Sequence, residues 1–287
     1  MNSYEKREIF HNEMGKIIFY FNEILNKNKI KTLEQEVLFC LVKKIISNST
    51  SANILVLEGY FNEAKIILRS AIETVVLIAY LVSFPEKTTE YIETSQILRL
   101  KNNFISYKTV KTDGAIEFNG VLYTQERLIS ENKNCFETLP IDFQKKILNE
   151  IGIKYFEINE ITERKIEKYF KNLKPFFQSL EGMCKAIGTE NLKIEETYTI
   201  RDILFPFYNE SSQIAHNSIF DWRENNKYGE DIEYIFHYFM KVTLFLNLIL
   251  KERLILGINN ETRNDALEMK SSIKNLEKLI YGKELEH

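Results

Sequence analysis

Helix-breaking and turn-forming residues are scarce in this chain. Four prolines and ten glycines occur in 287 residues, which argues against a turn-rich chain and fits long helices joined by few tight turns. Cysteine is also rare. Cys40, Cys135 and Cys184 are an odd, widely spaced set without a Cys-x-x-Cys pair, which excludes a disulfide framework and a zinc site of the usual spacing. Reduced thiols of this kind fit a cytoplasmic protein. No excess of positive charge is present: the formal net charge is -3, so no global basic field points to nucleic acid. The most apolar run, Thr74 to Phe84, is too short to span a bilayer and reads as a buried helix. The first residues lack the apolar core of a signal peptide. Phosphate loops, dinucleotide fingerprints, His-Glu-x-x-His motifs, internal repeats and low-complexity tracts do not occur.

What remains is apolar material with helical spacing. Hydrophobic residues make up 44% of the chain and charged ones 28%, enough for a sizeable core. The abundance of Lys, Asn, Ile and Glu resembles the usage of bacteria with AT-rich genomes. Ile9, Phe10, Met14, Ile17, Ile18, Phe21, Ile24 and Leu25 predict an amphipathic helix over about 4–27. Thr32 starts a second helix faced by Leu33, Val37, Leu38, Leu41, Ile45 and Ile46, and the polar run Ser47 to Ser51 reads as a break or a loosely wound segment. A long helix is then expected over about 52–84, and Pro85 opens another over about 86–111. Asp113-Gly114 and Asn119-Gly120 bracket an exposed loop or short ribbon at 112–122. Shorter helices follow near 123–131, 140–151, 159–172 and 175–187, then longer ones at about 197–218, 229–256 and 260–281. The fold class is therefore all-α: a multi-helix bundle with long antiparallel helices. Residues 1–284 form one domain whose main bundle is about 1–111 with 197–284, and 123–195 is a smaller helical insertion or cap. Residues 285–287, Leu-Glu-His, look like a tag remnant.

Two segments place chemically capable side chains at helical spacing in apolar surroundings. In the first, Glu58, Asn62, Lys65, Arg69 and Glu73 fall within about 80° of one another on a continuous helix. Beyond Lys65 that helix is apolar all round, as a buried helix is. Arg69 and Glu73 can pair, serving as a structural brace or as an anion clamp. Gly59 either lets another backbone approach or thins the helix. In the second segment, Tyr208, Ser212 and His216 recur every fourth residue and line one face. His216 suits proton transfer near neutral pH. Ser212 one turn away is either its partner, a nucleophile, or a hydroxyl bonded back to its own helix.

The pattern Gly59, Glu63, Ala64, Arg69, Ser70, Glu73, followed by Tyr208, Ser212 and His216, resembles an uncharacterised bacterial helical family, domain of unknown function 5677, over roughly residues 45–220. The resemblance implies an all-helical fold with Arg, Glu, Ser and His converging between helices, and it brings no established activity. A more distant likeness is to the helical HEPN nucleases, whose Arg and His lie slightly further apart on one helix than Arg7 and His11 do here.

Competing chemistries are weaker. A di-iron bundle needs two Glu-x-x-His pairs, and Glu8 with His11 is the single instance. The cations and aromatics from Arg164 to Lys174 read as an amphipathic helix with lysines outside, or as an RNA-touching face. As an enzyme acting on RNA or nucleotides, the protein would use His216 as acid/base and Arg69 to hold a phosphate. Ser212, Tyr208 and Glu73 would orient the others, with Asn62 and Lys65 contacting the ligand. As a binding module the same residues would hold a small anionic molecule. As an interaction protein they would only fix helix register. No metal or cofactor is expected, no membrane is involved, and the long helices allow a homodimer.

Overall fold

The structure is a computed structural model, and it describes residues 3–27, 30, 32–173, 180–187, 232–240, 242–243 and 260–281. The chain forms two compact units, one drawn from residues 1–85 and 179–287 and the other from 86–178. The first contains α1 (Ser3–Lys27), α2 (Leu33–Glu58), α3 (Phe61–Ser83), α8 (Leu180–Ile187), a helical stretch at 232–240, and α9 (Asn260–Tyr281). The second contains α4 (Lys87–Asp113), the strands β1 (Ile116–Phe118) and β2 (Val121–Tyr123), α5 (Gln125–Glu137), α6 (Ile141–Ile151) and α7 (Glu160–Asn172). The chain is all-α apart from one hairpin.

α3 is the centre of the first unit. Ala71, Ile72, Val75, Val76, Ile78 and Ala79 are wholly buried. α2 packs along it and α8 covers it further. α1 runs antiparallel to α2, so that Arg7 meets Gly59 while His11 meets Asn53: the Asn53 amide donates to the His11 carbonyl at 2.9 Å. α9 closes over α1. There Glu13, 8% exposed, accepts from Lys16 at 2.7 Å. Burial pushes its carboxyl up, but Lys16 and the α9 side chains Ser272 and Asn275 outweigh burial and leave it below the usual carboxylate range. By length and composition α3 could cross a membrane, with a mean hydropathy of 1.9. Here that apolarity builds a core, concentrated in Ala71 to Val82.

The break between α2 and α3 falls at Gly59 and Tyr60, not at residues 47–51. Residues 47–51 continue α2, because Thr50 and Ser51 bond back to the carbonyls of Ile46 and Ser47 and so satisfy their hydroxyls within the helix. The single helix expected over 52–84 is interrupted at Gly59 and Tyr60. Gly59 has φ +85° and caps α2 with its N–H on Leu55 and Val56, a left-handed stop that glycine alone adopts cheaply. A Cβ there would lie 2.4 Å from Nη1 of Arg7. Gly59 thus ends one helix and admits a guanidinium, neither of the two roles expected for it, and Glu58 does not share the face of α3. Thr32 does cap α2, accepting from the Gln35 N–H.

In the second unit, Asn119 and Gly120 form the hairpin turn with positive φ, pairing Ile116 with Tyr123 and Phe118 with Val121. α4 to α7 enclose Leu100, Phe104, Leu128, Phe136, Ile147, Ile166 and Phe170. Lys165, Lys168 and Lys171 are exposed while Ile166 and Phe170 are buried, so over its described residues the run from Arg164 is an amphipathic helix with lysines outside. Among the described residues, the cysteines are free, with Cys40 exposed and Cys135 and Cys184 buried.

Glu163 ties α7 to α4. It is 8% exposed and accepts from Lys111 at 2.6 Å, Lys108 at 3.2 Å and Tyr107 at 3.4 Å. The Lys111 hydrogen bond is the main reason its carboxyl titrates below its ordinary range. A carboxylate with a depressed folded pKa stabilises above its unfolded pKa, and that stability is lost as pH falls through the folded value. The melting temperature should therefore fall below about pH 4.3, and Glu163→Gln should lower it at pH 7 and flatten its acid dependence. An unchanged acid profile in Glu163→Gln would contradict the role. Gly59→Ala should cost about 1–3 kcal/mol in urea unfolding. Adding Arg7→Ala should recover the clash but not the backbone strain, and a wild-type midpoint for Gly59→Ala would contradict this account.

Candidate functional site

α3 begins one residue after the α2 cap, and its register sets the site. Lys65, Arg69 and Glu73 follow one another every fourth residue along one face, with Asn62 half-buried in the first turn. Arg69 donates from Nε to Oε1 of Glu73 at 3.2 Å. The two side chains are 21% and 43% exposed, so this pair lies at an edge of the core rather than inside it. It is the (i, i+4) pair that the spacing predicts.

Lys65 is more deeply set, at 5% exposure. Its Nζ lies 4.8 Å from the ring centroid of Tyr234, and that ring packs on Tyr238 at 4.8 Å. The stretch 232–240 therefore covers the first turns of α3 and brings an aromatic face over the ammonium, a placement that partly replaces lost hydration. Tyr234 was not legible as a site residue, since nothing in its own neighbourhood points to Lys65. Lys65 itself carried a signal: it sits four after Phe61 and three before Leu68, both buried, and so within the apolar stripe.

Lys65, Arg69 and Glu73 thus form one continuous polar row, a buried cation, a half-buried cation and a half-exposed anion, on an otherwise apolar helix. Chemically it can hold an anion, with Arg69 as a fork and Lys65 as a point charge. Tyr208, Ser212 and His216 lie outside the described residues. Among the described residues, no three His, Cys, Asp or Glu side chains gather as a metal site would require. A second polar group joins the stretch 232–240 to α9. The Tyr281 hydroxyl is 2.7 Å from Nε2 of His237, with Glu233 at 4.0 Å, and burial raises the Tyr281 phenol above its ordinary value.

Because the Arg69–Glu73 pair is partly solvated, it should add little to stability. Arg69→Ala and Glu73→Ala should each shift the unfolding free energy by less than about 1 kcal/mol. Losses well above that in denaturant titration would make the pair a structural brace.

No curated protein and no solved structure matches the chain. The model of a family of unknown function, DUF5677, matches residues 35–231. The matched span begins just inside α2 and runs through α3, the second unit and α8, so the polar row of α3 lies within it, whereas α1 and α9 lie outside. With well over half its length matched, the chain belongs to the DUF5677 family.

Proposed function

We propose that the polar row of α3 binds a phosphate-bearing ligand, RNA or a nucleotide, and that His216 supplies the acid/base group of a reaction on it. The observation that carries this reading is the placement of Lys65 and Arg69 one turn apart on the same face of α3, with Lys65 at 5% exposure. Two cations one turn apart on one face set up a local positive field in which a phosphate oxygen is a favourable occupant, and the Tyr234 ring lies over the Lys65 ammonium. In this scheme Arg69 holds the phosphate, Glu73 fixes the guanidinium plane through Nε, and Asn62 and Lys65 line the approach. Ser212 and Tyr208, which with His216 recur every fourth residue in the sequence, orient the imidazole.

The cation–π contact of Lys65 also favours a second reading, in which the row only fixes helix register. The two separate on a single experiment. Labelled RNA is incubated with purified wild type, Arg69→Ala and His216→Ala, without added metal, each variant first shown to be folded by circular dichroism. Cleavage by wild type that both variants lose by about 100-fold or more is the expected result. Binding without cleavage, weakened in Arg69→Ala, would keep the anion site and remove the catalysis. Neither binding nor cleavage by wild type would sink the RNA reading.

A further inference from the structure

The second unit carries a cleft of its own. It is about 670 Å³ in volume, inside the range of about 300–1,000 Å³ typical of small-molecule sites. Its walls come from α5, α6 and the loop before α7, and all the residues lining it belong to the described part of this one unit. The floor is apolar: Phe136 and Phe156, 5% and 6% exposed, stack nearly parallel with centroids 4.6 Å apart and planes 10° from coincidence. The rim is acidic. Glu126, Glu137 and Glu157 stand at the mouth against the single cation Lys133, whose nearest approach to Glu137 is a loose 3.9 Å. Three carboxylates against one ammonium leave the mouth with a net charge of -2. Tyr155, 76% exposed, adds a π-face at the same edge.

An apolar floor alone would accept any hydrophobe. An acidic rim alone would be a solvated surface. Together they select a molecule with an apolar body that enters the cleft and a positive end that remains at the mouth. Carboxylates and a tyrosine ring both favour a cation there, and an anionic head would meet three carboxylates against the one ammonium of Lys133. We infer that this cleft is a binding site for a small organic cation, an ammonium or guanidinium borne on an aromatic or aliphatic body. The site is separate in sequence from the row on α3 and its ligand has the opposite charge, so its success or failure is independent of the proposal for that row.

The test is a titration of the full-length protein with phenethylammonium, phenethyl alcohol and phenylacetate, which share a body and differ in the head. Binding is read from backbone amide shifts over residues 126–158. The cation should bind at least about tenfold more tightly than the alcohol, a difference of about 1.4 kcal/mol, and phenylacetate should not bind. The advantage should shrink as salt is raised, since the rim charges are exposed. The triple variant Glu126→Gln, Glu137→Gln, Glu157→Gln alters surface groups alone. It should cut affinity for the cation to that of the alcohol and leave the alcohol unchanged. Tyr155→Ala should weaken the cation more than the alcohol. Equal affinity for all three probes, no binding of any, or undiminished cation binding in the triple variant would each overturn the inference.

Discussion

The first unit depends on the burial of α3. A helix with almost no polar side must be covered on every face, and the cover comes from α2, α8 and the stretch 232–240. Once that cover is in place, every polar group on α3 becomes a constraint. Lys65 has to find a partner within the core, and Tyr234 provides one. Arg69 and Glu73 have to lie at an edge, where each is the other's partner and water reaches both. The polar row is therefore a product of the packing that the apolar residues impose, with Lys65 held within the core and Arg69 and Glu73 at its edge. That placement is what a site for an anion needs, because donors that are already in place lose little entropy when the ligand arrives.

The break at Gly59 matters for the same reason. Had α2 and α3 been one helix, they could not have packed against each other. The left-handed cap turns the chain back, and Arg7 from α1 fills the space left by the missing side chain. The reversal also sets the phase of α3, and with it which of its residues face Tyr234. A local backbone requirement at one glycine thus decides the register of a polar row several residues later.

Much of the architecture was legible because it rests on periodicity. α1, the Thr32 cap, the hairpin at Asn119-Gly120 and α5 to α8 follow from spacing and turn chemistry, while the helices expected over 197–218 and most of 229–256 lie outside the described residues. The errors came where two signals compete. The serines and threonine at 47–51 look like a break, but the Thr50 and Ser51 hydroxyls bond back to the helix and the apolar stripe carries on through Ile45, Ile46 and Ala52. Gly59 sits between two apolar stretches that read as continuous, and its role shows only when the chain reverses. For the site, the Arg69–Glu73 pair follows from spacing alone. Tyr234 over Lys65 does not, because a contact between residues so far apart in sequence leaves no trace in either neighbourhood. Glu13 and Glu163 share one signal: each occupies a position of its helix's apolar stripe, Glu13 three after Phe10 and four before Ile17, Glu163 three before Ile166. A carboxylate in such a place needs a partner, and both have lysines.

The proposed anion site requires Arg69 to face a ligand rather than merely brace α3. Side-chain NMR of arginine reports on this directly, because the Nε–H resonance of Arg69 can be followed while an oligoribonucleotide is added to the full-length protein. The account predicts a saturable shift of that resonance, absent in Arg69→Ala. A resonance that stays put while the RNA binds elsewhere, or an RNA that does not bind at all, would contradict it.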